Sequence, residues 1–480
     1  MLGQSLVYLI GRVLPGMLSV AAIAVLTRAL TPTEYGLYAL VIAAVTMLNS
    51  IIFTWNSKAV YRSFASLRSD PSRLFRAAIV GFASSFIASI ICVLLIYEAV
   101  DTKVDAALLL GGGLLLAAYA WIELASSILN LEGRAIDYVA LMSSRAAINV
   151  CLGGLAAWLT GSAAWVICVM AFGWGVLAIV PRFSSWVWRA QGATIVRSDM
   201  TTMLRYGVPL SLSIALSQLI SSADRGLLGL LSGPGAVAMY AVGYDLVQFC
   251  IGAIGSALSL AYYPRIIAAA DVEGTEPARA ILHTYSVVQL AVVLPAAVGL
   301  ACVARPLAEV IVGESLRNGA AEVMPLISIS ALLITLKAFY ADFSFQLARW
   351  TLGGAVTSAV ALVANIGCNL ILIPRDGIWG AALAAVIATA IGLGLSLLIS
   401  RKKGFPLPGL TMDHLRVVVS VGLMAFVLKL FGTGRGFSGL ALDIITGAAI
   451  YAVAMVMLNP LHVRAHVIAS IARARACLAR

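Results

Sequence analysis

The sequence predicts an all-α, polytopic membrane protein of about fourteen transmembrane helices, and three observations predict it. Of 480 residues, 61% are apolar and 11% charged, against about a quarter charged in soluble globular chains. The apolar residues gather into fourteen runs, each close to the roughly 20 residues that cross a bilayer as a helix. Between the runs, Lys and Arg alternate: every second gap is basic and the others are nearly bare. Helix is expected throughout, because an open strand cannot satisfy its backbone in hydrocarbon.

Taken in order, the first run covers residues 4–30. It has no charged segment before it and is too long for the apolar part of a secretion signal, so it is expected as span 1. Later spans are expected to begin near Gly36, Ala77, Ala106, Tyr138, Ala163, Tyr206, Ala236, Thr284, Val323, Thr351, Ile378, Leu415 and Ser438. Pro15, Pro209 and Pro295 are placed to kink their helices. The basic gaps hold Lys58, Arg62, Arg68, Arg73 and Arg76; Arg134; Arg182, Arg189, Arg197 and Arg205; Arg265 and Arg279; Arg349; Arg401, Lys402, Lys403 and Arg416; and the tail with Arg464, Arg473, Arg475 and Arg480. That is 21 of the 32 Lys and Arg. The opposite gaps hold Arg28, Lys103, Arg305, Arg317, Arg375 and Arg435. Cationic loops resist translocation. Both termini are therefore expected in the cytoplasm and the chain in a bacterial inner membrane.

The composition excludes several classes. Fourteen spans consume most of the length and leave no extramembrane domain. The net charge of +11 fits orientation and contact with anionic lipids, so membrane lipids are expected partners and nucleic acid is not. Cys92, Cys151, Cys168, Cys250, Cys302, Cys368 and Cys477 are scattered without a C-x-x-C pair. Free thiols are expected, with neither metal nor disulfide framework. No G-x-x-x-x-G-K-[ST] exists, so no ATP site and no cofactor are expected. Residues 434–439 spell G-x-G-x-x-G, but in a turn with no strand before it, where a flexible loop is expected.

A repeat appears at a shift of 202 residues. Residues 30–39, Leu-Thr-Pro-Thr-Glu-Tyr-Gly-Leu-Tyr-Ala, join spans 1 and 2, and residues 232–241, Ser-Gly-Pro-Gly-Ala-Val-Ala-Met-Tyr-Ala, join spans 7 and 8. Pro32 matches Pro234, Gly36 faces Ala238, and Tyr38-Ala39 match Tyr240-Ala241. The same shift sets Tyr61 on Tyr263. Both copies begin at an odd-numbered span, so the halves share orientation, which is a transporter plan.

Gly11-Arg12, the 30–38 turn, Ala223-Asp224-Arg225, and Asn365, Asn369, Ile373-Pro374 and the run from Gly377 to Ala382 resemble the polysaccharide transporter (Wzx-type flippase) family. That family lies in the multidrug/oligosaccharidyl-lipid/polysaccharide exporter superfamily. The resemblance covers the whole chain and implies two six-helix lobes in a V around a central cavity. Residues 1–205 would form the N-terminal lobe (spans 1–6) and 206–400 the C-terminal lobe (spans 7–12). Residues 401–480 would add spans 13 and 14 and a basic cytoplasmic tail. It also implies a cargo of undecaprenyl-diphosphate-linked oligosaccharide, carried from inner to outer leaflet for surface polysaccharide synthesis. The polysaccharide polymerase machinery would be a further partner, a monomer would suffice, and no enzymatic activity is implied.

The residues themselves point to a polar interior. Arg12, Glu123, Arg145, Asp224, Arg225, Asp245, Lys337 and Asp342 lie within the expected spans. A charge at the bilayer centre costs about 2.5–3.5 kcal/mol on insertion scales. Eight facing lipid would cost on the order of 20–28 kcal/mol, beyond the roughly 5–15 kcal/mol of ordinary net stability. They must face water or each other. Polar residues share helix faces: Ser211, Gln218, Ser222 and Arg225 in span 7; Thr335, Asp342, Gln346 and Arg349 in span 10, with Lys337 beside them; Thr46, Asn49 and Asn56 in span 2; Arg145 and Asn149 in span 5; Ser358, Asn365 and Asn369 in span 11.

Diphosphate calls for Arg, whose fork matches its oxygens, or Lys. Arg12, Arg145, Arg225 and Lys337 are the headgroup candidates, with Lys58, Arg62 and Arg265 placed for first capture. Asn49, Asn56, Gln218, Tyr244, Tyr340, Asn365 and Asn369 are candidates to line the glycan path, and Tyr8, Trp55 and Tyr61 add aromatic faces. Glu123, Asp224, Asp245 and Asp342 are candidates for coupling to protons or sodium. Plainer readings stand beside these: interfacial anchoring for the aromatics, pairing of Arg225 with Asp224 or Asp245, and topogenic charge for Lys58, Arg62 and Arg265. An exporter of drugs or organic cations is the alternative within the superfamily. A glycan polymerase or ligase is an alternative outside it, although the longest gap on the side poor in Lys and Arg, 305–322, contains no His.

Overall fold

The structure is a computed structural model that describes residues 2–64, 70–99, 105–194, 197–348, 350, 352–432 and 436–462; for 2–13, 96–99, 197, 209, 210, 213, 217 and 462 it describes the backbone alone. All regular structure among these residues is helical. The helices are α1 (Leu2–Ala29), α2 (Pro32–Ile52), α3 (Thr54–Ser63), α4 (Pro71–Ala99), α5 (Ala106–Leu131), α6 (Ala135–Ile148), α7 (Gly154–Thr160), α8 (Ala163–Ile179) and α9 (Pro181–Arg189). There follow α10 (Arg197–Ser232), α11 (Pro234–Val272), α12 (Thr275–Cys302), α13 (Ala304–Ile311), α14 (Glu314–Leu336), α15 (Phe343–Leu347), α16 (Leu352–Lys403), α17 (Met412–Phe431) and α18 (Gly436–Leu458). A π-helical turn, Asn149–Gly153, joins α6 to α7, and another, Lys337–Ala341, joins α14 to α15.

Among the described residues, ten helical segments are long and apolar enough to cross a membrane, or eleven if α8 and α9, bent by 54°, count as one. The chain is a multi-pass membrane protein. α16, counted once, contains the expected spans 11 and 12; Gly377, at φ 56° and ψ −126°, breaks it between them. Glycine adopts that backbone without the Cβ penalty other residues meet.

The helix ends follow local chemistry. α2 opens with Pro32 at its first position, where proline loses no hydrogen bond, and the Thr31 hydroxyl accepts from the Glu34 N–H. Asp105 caps α5 by accepting from Ala107 N–H (3.0 Å). At α17, His414 Nδ1 accepts from Thr411 N–H (3.1 Å).

The chain divides into two compact units. The first comprises Met1–Ala241, Ile311–Leu316 and Asn369–Ile378; the second comprises Val242–Val310, Arg317–Cys368 and Trp379–Arg480. In the first, Trp55, Leu74, Phe75, Leu124, Ile128, Trp186 and Met203 form a core where α3, α4, α5, α9 and α10 meet. Trp121 stacks on Trp186 at 5.2 Å. Arg134 and Arg182 converge on Asp137 (2.8 and 2.6 Å), Arg189 pairs with Glu132, and Arg73 bonds Asp199 (2.7 Å). Several cations of the basic gaps thus tie the ends of α4, α5, α6, α9 and α10 together. In the second unit, Ile266, Leu282, Tyr285 and Phe343 form a core with Tyr262, Tyr263 and Tyr340 against it, and Phe405 and Leu407 of the α16–α17 linker close it.

Candidate functional site

Arg145 lies near the middle of the α6–α7 segment, just before its π turn. Its guanidinium carbon sits 4.9 Å from the centroid of Tyr119 on α5 and 5.0 Å from that of Trp174 on α8. The two rings are 5.9 Å apart. Trp174 is buried, and its indole N–H donates to Asn149 Oδ1 (3.0 Å), which fixes the ring. The π turn sets Asn149 at that position, and Gly173 leaves space for Ile148 where α8 crosses α6. Among the described residues Arg145 pairs with no carboxylate. The two neighbouring aromatic rings stabilise the cation together. The guanidinium also bonds the Tyr119 side chain, and its other N–H donors suit a planar anion such as a phosphate or carboxylate.

On the next turn of α5, Glu123 Oε2 accepts from the amide of buried Asn49 on α2 (3.1 Å). α2, α5, α6 and α8 thus bring one acid, one base, two amides and two aromatic rings together in the first unit. The same unit holds a second polar cluster. The Asp224 carboxylate, 1% exposed, accepts from Tyr240 Oη (2.8 Å) and Asn369 Nδ2 (2.7 Å). Arg225, next along α10, is buried with it.

The second unit treats its cation differently. Lys337 Nζ donates to Asp342 Oδ2 (2.8 Å) and to Ser358 Oγ (3.0 Å). Asp342 Oδ1 accepts from Ser396 Oγ (2.9 Å), which also reaches Thr357 (3.0 Å). Gly392 faces the Lys337 stem, where a Cβ would lie 3.4 Å from Lys337 Cε. Two residues five apart do not share a face of an α-helix. The π turn brings them together, with Asp342 N–H bonded to Lys337 C=O (2.9 Å).

The remaining candidates scatter. Asn56 is buried and donates to Ala78 C=O (2.8 Å), joining α3 to α4. Gln218 reaches Ser221 on its own helix (3.4 Å), and Tyr340 donates to Pro408 C=O (3.1 Å). Asn365 is buried; Tyr244 and Asp245 are half-buried on α11. Lys58 is half-buried on α3, Arg62 is exposed over the Tyr206 ring at 5.7 Å, and Arg265 is exposed. Arg12 and Tyr8 lie on α1, with side chains outside the described set, as is Arg349. Tyr119, Trp174 and Tyr240 are site residues that the sequence did not single out. The one local signal was Tyr119, a helical turn before Glu123.

Residues 25–321, more than half of the chain, match the family model described as polysaccharide biosynthesis protein. The chain belongs to this family. No curated protein matches it. Among solved structures it is similar to the lipid II flippase MurJ in an inward closed conformation, at 14% identity and TM-score 0.75, over 95% of this chain and 98% of that one. It is also similar to an inward-facing multidrug resistance MATE family transporter of the MOP superfamily, at 14% identity and TM-score 0.65, over 88% and 99%. A MOP superfamily transporter from Pyrococcus furiosus follows at 16% and 0.55, over 83% and 93%. At these identities the likeness is one of fold. The exporter-superfamily resemblance expected from the sequence is borne out, and so is an all-helical membrane fold.

Proposed function

We propose that this member of the polysaccharide biosynthesis family is a flippase, not an enzyme. It carries undecaprenyl-diphosphate-linked oligosaccharide from the inner to the outer leaflet of a bacterial inner membrane by alternating access. The basic gaps face the cytoplasm in this reading, fourteen spans cross the membrane, and the lobes of residues 1–205 and 206–400 rock against each other with spans 13 and 14 appended.

The observation that carries the reading is Arg145. A guanidinium at mid-segment, steadied by two aromatic faces and with no carboxylate partner among the described residues, is built to exchange anionic partners. Diphosphate oxygens fit its fork, and Asn49 and Asn149 beside it suit sugar hydroxyls. Arg12 and Arg225 complete the headgroup set in this reading, and Lys58, Arg62 and Arg265 collect the cargo from the cytoplasmic leaflet. Asn365, Asn369, Gln218, Tyr244 and Tyr340 belong to the glycan path. Glu123, held by a single amide, is the acid best placed to take a proton or sodium. Asp342 is neutralised by Lys337. Glu123 also favours a second reading, exchange of an organic cation for such an ion.

The test is a deletion strain complemented with the parent or with Arg145→Ala. Deletion should leave glycolipid in the inner leaflet and deplete surface polysaccharide, with rescue by the parent alone. Normal surface polysaccharide in the deletion strain, together with new sensitivity to cationic dyes, would establish the exporter instead.

A further inference from the structure

The segment that repeats at a shift of 202 residues packs against its own copy. Gly36, in the first turn of α2, lies directly under the carbonyl of Pro234, the first residue of α11; a Cβ on Gly36 would overlap that oxygen. Reciprocally, the place a Cβ would take on Gly235 is 4.0 Å from the Pro32 ring. Gly233, at φ 85°, turns the chain sharply enough to aim the Pro234 carbonyl there.

A second close approach lies in another of the gaps poor in Lys and Arg. Gly313, in the break between α13 and α14, donates its N–H to Thr27 Oγ1 (3.0 Å), and a Cβ on it would overlap the Thr27 carbonyl. Next to it, Arg28 spans from Ala24 C=O (2.8 Å) to Ile311 C=O (2.7 Å). A helix-end carbonyl is a good seat for a cation. Near the first contact, a Cβ on Gly229 of α10 would come within 3.2 Å of the Leu40 side chain of α2. α2 thus meets α11, and the α13–α14 break meets α1, each through a backbone carbonyl that only glycine can approach so closely.

We propose that these contacts are the outer seal of the transporter, and that Gly36, Gly313 and Arg28 set its closed state. This rests on the flippase reading, because a seal implies a second state in which it opens. Added methyl groups at Gly36 or Gly313 hold the carbonyl surfaces apart, and loss of the Arg28 guanidinium removes a strut without adding volume.

The test uses a cysteine-free chain carrying Ser222→Cys as reporter. Ser222 is buried beneath the seal, bonded to Ala43 C=O at 3.4 Å. Spheroplasts are labelled with a membrane-impermeant maleimide. Labelling should be slow in the parent, at least tenfold faster with Gly36→Ala or Gly313→Ala, and severalfold faster with Arg28→Ala. Gly113→Ala and Gly175→Ala, where a Cβ meets nothing within 4 Å, should match the parent. Parental labelling rates in all three seal variants overturn the proposal; if the alanine variants fail to insert, Arg28→Ala decides alone. The readout does not involve cargo. Faster labelling in a protein whose deletion spares surface polysaccharide would keep the seal and discard the flippase.

Discussion

Arg145 and Lys337 are both cations within expected spans, both beside a π turn, and the protein settles them in opposite ways. Lys337 has a carboxylate, two hydroxyls in sequence behind it and a glycine facing its stem. Its charge is cancelled locally and two of its three donors are occupied. Arg145 has two ring faces and no acid partner among the described residues. Its charge is tolerated, and the donors beyond the one shared with Tyr119 are left over. π turns often mark functional positions, and here the same device serves two ends. At Lys337 it closes an internal pair. At Arg145 it sets Asn149 to hold a ring. The difference teaches that a charge inside a membrane protein is read from what its polar atoms do, not from its depth.

Four experiments would break or sharpen that contrast. The largest effect belongs to Arg145→Ala, expected to lower surface polysaccharide more than tenfold with unchanged membrane insertion. Arg145→Lys should recover little, because an ammonium lacks the planar fork; full recovery by Lys would remove the fork from the argument. Next, Asp342→Leu alone should cost about 3–5 kcal/mol by stranding Lys337. The double change Lys337→Met with Asp342→Leu should regain most of it, as followed by thermal unfolding in detergent. Equal loss in single and double variants would mean the pair is not self-contained.

A smaller effect is expected for Trp174→Leu. Losing one cation–π face is worth about 1 kcal/mol, roughly a fivefold fall in export, with little change in unfolding temperature. The smallest is Ser396→Ala, which removes one hydrogen bond to Asp342. It should cost about 1 kcal/mol of stability and leave export at the parental rate. An export defect there would show that the second unit's polar cluster does more than hold itself together.

Much of the fold was legible because the bilayer imposes one rule on every segment. Apolar runs must be helices, and the places where they stop are marked by Pro32, Pro181, Pro234 and Gly377. The repeat was legible as a pattern, but that its two copies touch was not, since nothing local says which turn meets which. The site was legible in its charges and not in their partners. Arg145 stood out as a guanidinium in an apolar run. Tyr119 and Trp174 did not, because aromatics are common in spans and their meeting depends on how α5, α6 and α8 cross. Lys337 and Asp342 were set on neighbouring stripes of a regular α-helix. A π turn, which has no signature in the residues, closed the gap between them.

The linker from α16 to α17 has one further implication. Ser344 Oγ donates to Phe405 C=O (2.6 Å), Phe405 N–H returns to Ser344 C=O (3.0 Å), and Tyr340 holds Pro408. Three fastenings across so short a stretch make it a weld rather than a leash. The final hairpin, α17 and α18, is thereby mounted on the second unit as a fixed outrigger, and anything grafted between Lys403 and Met412 would have to pry that mounting loose.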